Sequence, residues 1–184
     1  MSALAATRGP RALLRRAWRA ALLDPEIYEE VEADRGATRQ AFAVVLLAAL
    51  AAGLGSLSNG GARGILWSAL FSLFGWYVWA WTAWWIGTRL LPGPETRADA
   101  GELLRTIGFS CAPGVLRILA LYDPLAGPIF LLCTLWMLAG MVVAVRQALD
   151  LRSTGRAIVI CLIGWVLHVI VFIGLLRVLR AGWA

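Results

Sequence analysis

Few side chains in this chain can do chemistry where they lie. The only histidine, His168, shares a helical face with Cys161 and Gly164, deep in an apolar run. An imidazole there is a candidate metal, haem or chlorophyll ligand, or an interhelical hydrogen-bond partner. A second polar stripe reads Thr106, Ser110, Pro113 and Arg117, at spacings of four, three and four. On a continuous helix these share one face, and Pro113 removes one N–H and frees the carbonyl of Phe109. Hydroxyls, an opened backbone and a guanidinium suit a kink inside a bundle, or a polar path or headgroup pocket with Arg117 as anion contact. Tryptophans form the third cluster: Trp67, Trp76, Trp79, Trp81, Trp84 and Trp85 crowd one apolar run with Tyr77. Those at its ends suit interfacial anchoring, whereas each central indole N–H needs a partner. Trp79 and Trp81, with His168, are the candidates for holding a flat hydrophobic ligand such as a quinone or pigment.

The missing parts are as informative. No second histidine and no carboxylate falls at the depth of His168, so a catalytic dyad, a zinc site and a proton relay all lack members. Cys111, Cys133 and Cys161 are far apart, without metal-ligand spacing, and read as packing residues. There is no Gly-rich phosphate loop. We expect no catalytic activity, no metal and no resident cofactor, with bound lipid as the admissible ligand.

The elements that carry these residues follow from composition. Of 184 residues, 60% are hydrophobic and 15% charged, far from the balance of a soluble domain. The apolar residues lie in five blocks, near 41–57, 65–91, 103–121, 125–145 and 157–176, each about long enough to cross a bilayer. The expected fold is an all-α integral membrane protein: a bundle of five transmembrane helices over 41–184 behind an N-terminal amphipathic cytoplasmic tail over 1–40. Arg105 and Arg117 sit near opposite ends of the third block, where long side chains can snorkel to headgroups. Ala48, Ala52, Gly55, Gly140 and Ala144 suit close helix contact.

The tail holds two short helices of opposite charge. After Pro10, the residues Leu13, Leu14, Ala17, Trp18 and Ala21 fall on one face and Arg11, Arg15, Arg16 and Arg19 on the other. Such a helix can lie in an anionic headgroup layer. Asp24-Pro25-Glu26 then supplies a cap, a first-turn proline and an acidic first turn. The helix that follows sets Ile27, Tyr28 and Val31 apart from Glu26, Glu29 and Glu30. The two charged faces pair with each other, with lipid or with a docking partner. Arg11, Arg15, Arg16, Trp18, Arg19, Glu26, Tyr28, Glu29 and Glu30 are therefore the expected partner or lipid surface.

All 17 basic residues are Arg, a coding bias that reads as bacterial. Thirteen fall in the tail and in the connections near 86–106 and 146–156, against four on the other side. That asymmetry predicts a multi-pass protein of the cell (inner) membrane with its N-terminus cytoplasmic and its C-terminus outside. The Arg-rich start lacks the apolar core and cleavage site of a signal peptide, so the first span is expected to direct insertion.

The order of features resembles a known family. Asp24-Pro25-Glu26-Ile27-Tyr28-Glu29-Glu30-Val31-Glu32 precedes the spans; Gly108-Phe109-Ser110-Cys111-Ala112-Pro113 lies in the third; Trp136 and Ala144-Val145-Arg146-Gln147-Ala148-Leu149 follow in the fourth. Over 24–176 the chain is similar to the Yip-domain family of Rab/Ypt-interacting membrane proteins, in its bacterial form. The resemblance implies five spans and a cytoplasmic N-terminus. Eukaryotic relatives bind prenylated GTPases and shape membranes, but the acidic-leucine-aromatic-glycine-proline motif they carry before the first span is absent here. The trafficking role is not carried over. The resulting expectation is a non-catalytic protein that binds other membrane proteins, itself or lipid, and no nucleic acid. A small carrier using the third and fifth spans, or a subunit holding a hydrophobic cofactor, are the alternatives.

Overall fold

The computed structural model describes residues 9–94 and 96–181, and among them the backbone is helical with no strand. Helix α1 spans Pro10–Ala21 and α2 spans Pro25–Ala33, each with proline in its first turn, where the missing N–H costs nothing. Between them Leu23 takes φ 60°, and the Asp24 carboxylate accepts from the Glu26 backbone N–H at 3.1 Å. Helix α3 runs Ala37–Gly55, and α4 runs Leu57–Trp85 before a π turn over Ile86–Leu90. Near the start of α4, Gly61 (φ 56°, ψ −166°) breaks the helical path. Helix α5, Ala100–Ser110, opens with a capping box between Asp99 and Glu102. A 3-10 segment, Ala112–Leu121, continues its line; α6 (Ala126–Ala148) and α7 (Thr154–Ala181) complete the chain.

Five stretches are long and apolar enough to cross a membrane: Ala37–Gly55, Arg63–Leu90, Ala100–Leu121, Asp123–Ala148 and Thr154–Val171. Five is the number expected. Burial divides them. Half or more of the first and third spans is buried, 50% and 56%, against 17%, 22% and 22% of the others. Spans one and three therefore form the interior, while α4, α6 and α7 present large apolar residues outward. Their contact is close: a Cβ on Gly55 would collide with the Arg117 carbonyl, and one on Gly108 would stand 2.7 Å from Ala41 Cβ. Removing side chains at such crossings lets backbones approach, as membrane helices require.

The third span changes helix type where Pro113 predicts a break. Pro113 offers no N–H to the Phe109 carbonyl, which accepts instead from a backbone N–H at the end of α5, and the chain tightens into a ten-residue 3-10 run, long for that geometry. It is held between α3 and α6, on which most of its packing falls.

The beginnings of α3, α5 and α7 and the ends of α4 and α6 meet on one face. Thr96 Oγ1 donates to the Leu149 carbonyl at 2.8 Å, and Arg156 reaches the Pro92 carbonyl at 3.4 Å. Helices α1 and α2 dock on that face as a hairpin. Ile27, Tyr28 and Val31 of α2 join one core with Leu103, Ile107 and Phe109 of α5 and Ala144 and Val145 of α6.

Candidate functional site

The hairpin is fastened by a buried cation. Arg16, 2% exposed, donates from Nε to Glu30 at 2.9 Å, and from Nη1 to Asp34 at 3.0 Å and to Gln40 at 2.7 Å. Arg15 reaches Glu30 at 3.2 Å, and Arg19 reaches Asp24 at 2.7 Å and Glu26 at 3.1 Å. The hydrogen bond to Asp24 holds the Arg19 guanidinium above its ordinary pKa. Arg105, also buried, donates to the Val31 and Glu32 carbonyls at the end of α2, satisfying acceptors a helix terminus leaves open. It does not snorkel; the docked hairpin lies over it and supplies its partners.

These contacts revise the expected surface. Arg16 and Tyr28 point inward and are unavailable to a partner or to lipid. In α1 the buried stripe is Ala12, Arg16 and Ala20, because α2 offers it carboxylates. The apolar stripe Leu14, Trp18 and Leu22 is turned outward, 70%, 68% and 60% exposed. Arg11 and Arg15 flank it, and Glu26 is exposed. Glu29 accepts from Gln147 Nε2 at 2.8 Å, so it is engaged with α6.

The hairpin also reaches far along the bundle. Trp136 Nε1 donates to the Ala21 carbonyl at 2.6 Å, and the Tyr28 hydroxyl donates to Ala20 at 3.1 Å. Burial pushes the Tyr28 phenol up and keeps it a donor. A Cβ on Gly140 would stand 3.2 Å from that hydroxyl, so glycine makes the room. From Trp136 to the end of α6 is about 18 Å of helix; the α1–α2 turn lies beside mid-bundle. Near the hairpin's end, burial raises the Glu32 carboxyl to about 7, helped by Glu102 and Asp150 and opposed by Arg105.

A second feature lies inside the bundle. A chamber of about 280 Å³ is walled by residues of all five spans, among them Ala48, Trp79, Cys111, Arg117, Met137 and His168. Three of its wall residues carry buried polar atoms without a partner: Trp79 Nε1, Arg117 Nε and His168 Nδ1. The Trp79 and His168 rings stand 5.5 Å apart, and Gly75 and Gly164 give them room. Arg117 donates from Nη2 to Thr134 at 2.9 Å and lies over the Phe130 ring at 5.4 Å. Among the described residues no carboxylate comes within ion-pair distance of it.

The expected stripe of the third span is divided. Thr106 bonds back to Glu102 and Leu103, and Ser110 to Ile107 at 2.7 Å. Both are internally satisfied, and neither lines the chamber. Pro113 is buried at the change of helix type. An α-helix would return Arg117 to within about 20° of Ser110, whereas a 3-10 turn carries it about 120° away. A polar path along one face is not formed. Cys161, Gly164 and His168 do share a face, turned to Trp79. Trp81 instead faces outward, edge-on to Trp84 at 5.3 Å. Trp76 and Trp84 find acceptors in the Leu104 and Ala98 carbonyls, both at 2.9 Å, so the orphaned indole of Trp79 stands out.

Several participants escaped the sequence reading. Gln40, Asp34 and Thr134 complete the two arginine sites, and only a polar residue inside an otherwise apolar helix hints at Gln40 and Thr134.

Five apolar spans with a helical hairpin clamped to one end make this a multi-pass, all-α membrane protein. The chain belongs to the Yip1 domain family, whose model matches residues 19–176. No curated protein and no solved structure matches it.

Proposed function

We propose that this is a non-catalytic membrane protein that organises lipid in one leaflet of the cell membrane through the α1–α2 hairpin, which faces the cytoplasm. The outward stripe of Leu14, Trp18 and Leu22 carries this reading. Spaced by one helical turn, the three side chains form an apolar ridge on an element otherwise rich in charge. Arg11 and Arg15 beside it suit anionic headgroups. The turn beside mid-bundle makes the hairpin a wedge in one leaflet, and the arginine asymmetry supports a cytoplasmic position for it.

Photocrosslinking in native membranes tests this. A benzophenone side chain placed at Leu14 or Leu22 is expected to give lipid adducts by mass spectrometry, and one at buried Val31 none. A single discrete protein adduct at both positions, without lipid, would replace the reading with docking of a protein partner.

A further inference from the structure

We propose that the central chamber binds the oxyanion head of a long-chain membrane amphiphile, with Arg117 and Trp79 as its donors. The argument starts from what is unpaired. Arg117 is half-buried near the end of its span, and its guanidinium meets only a hydroxyl and an aromatic face. Its Nε and the Trp79 Nε1, in walls of the same chamber, lack acceptors. Buried donors are ordinarily bonded, and each one left open costs about 1–3 kcal/mol. Both are donors and one belongs to a cation, so the complementary group is an anionic acceptor. His168 Nδ1 can donate to the same group or accept its proton.

The remaining wall fits an acyl chain. Val45, Ala48, Met137 and Met141 supply apolar surface, and methionine adapts to irregular chains. Phe71, Leu138 and Trp165 belong to the wall and are also exposed on the lipid-facing surface, 38%, 37% and 53%. A volume of about 280 Å³ takes a headgroup and the first methylenes. The rest of the chain leaves between α4, α6 and α7. A carboxylate and a phosphate monoester share the required chemistry.

The site is independent of the α1 surface, and its test leaves α1 untouched. The full chain, purified in mild detergent and stripped of lipid, is titrated with oleate, dodecyl phosphate or oleyl alcohol and read by native mass spectrometry. One oleate or one dodecyl phosphate per chain is expected, with oleyl alcohol at least about tenfold weaker. Preference between the two anions identifies a carboxylate or a phosphate head. Arg117→Gln is expected to lower retention about tenfold, Trp79→Phe severalfold, and exposed Arg97→Gln not at all. Should Arg117→Gln fail to fold, Trp79→Phe carries the test. Equal retention of oleyl alcohol, unchanged retention in folded variants, or saturation by decylubiquinone without retention of oleate would overturn the proposal.

Discussion

Arg16 and Arg117 are the same side chain under opposite management. Arg16 is nearly inaccessible and meets two carboxylates and an amide; Arg117 meets one hydroxyl and a ring, and leaves its Nε open. Arg16 lies where charge is expensive and is satisfied; Arg117 is half-buried and keeps one buried donor open. A guanidinium whose donors are filled from its own chain is a fastening. One whose donors stay open beside a chamber is prepared for something that arrives later. The difference follows from neighbours: α1 meets the acidic α2, while the 3-10 segment meets α3 and α6, which bring Thr134 and no carboxylate within reach.

That contrast is sharpest in stability. Arg16→Leu removes the cation shared by Glu30 and Asp34 and the donor to the Gln40 carbonyl oxygen. A loss of about 3 kcal/mol is expected, by analogy with breaking buried ion pairs. Arg117→Leu deletes a charge that no acid neutralises among the described residues, so the ligand-free protein should lose less than about 1 kcal/mol, or gain. Thermal unfolding of both variants in one detergent reads the difference. Equal losses would erase the distinction between fastening and site.

The hairpin itself offers a smaller effect. Trp136→Phe keeps an aromatic ring, smaller than the indole, and deletes the bond to the Ala21 carbonyl, an acceptor at a helix end. About 1 kcal/mol should be lost, and protease should reach residues 10–33 sooner. Wild-type rates in the variant would mean that the hairpin is held from its charged end alone.

The sequence made the spans legible because hydrocarbon thickness imposes a length that apolar blocks of this size display directly. Pro113 announced its break for an equally local reason. The facing of Arg117 was hidden, since reading a stripe at spacings of four and three presumes one helix type throughout. The direction of α1 was hidden too. Arg16 was expected on the same outer surface as Arg11, Arg15, Trp18 and Arg19, but the neighbour that receives α1 is acidic, so Arg16 turns in while Trp18 stays exposed. Trp79 and His168 were each recognisable alone; their meeting depends on α4 crossing α7 at Gly75 and Gly164.

Glu32 tests the charged end of the hairpin by pH. Its folded value, about 7, lies above the 4.5 of the free carboxyl, so the folded protein holds this proton longer. The stability it contributes is complete below about pH 4.5 and fades as pH rises through 7. Glu32 is half-buried and screened, so the change between pH 5 and 8 should be about 1 kcal/mol. Glu32→Gln should flatten that slope and raise the melting temperature at pH 8. An unchanged slope would mean that the Glu32 carboxyl does not set it.

The smallest effect decides how the chamber is regarded. Trp79→Phe keeps an aromatic ring against His168 but removes an N–H that has no acceptor together with ring atoms that pack on Gly164. No made bond is lost, so the ligand-free protein should lose only the packing of those ring atoms. Trp76→Phe, which loses the same atoms and also a made bond to the Leu104 carbonyl, should cost about 1 kcal/mol more in the same assay. If Trp79→Phe costs as much as Trp76→Phe, its indole is already bonded within the protein. The chamber would then be another fastening, and Arg117 would belong with Arg16 after all.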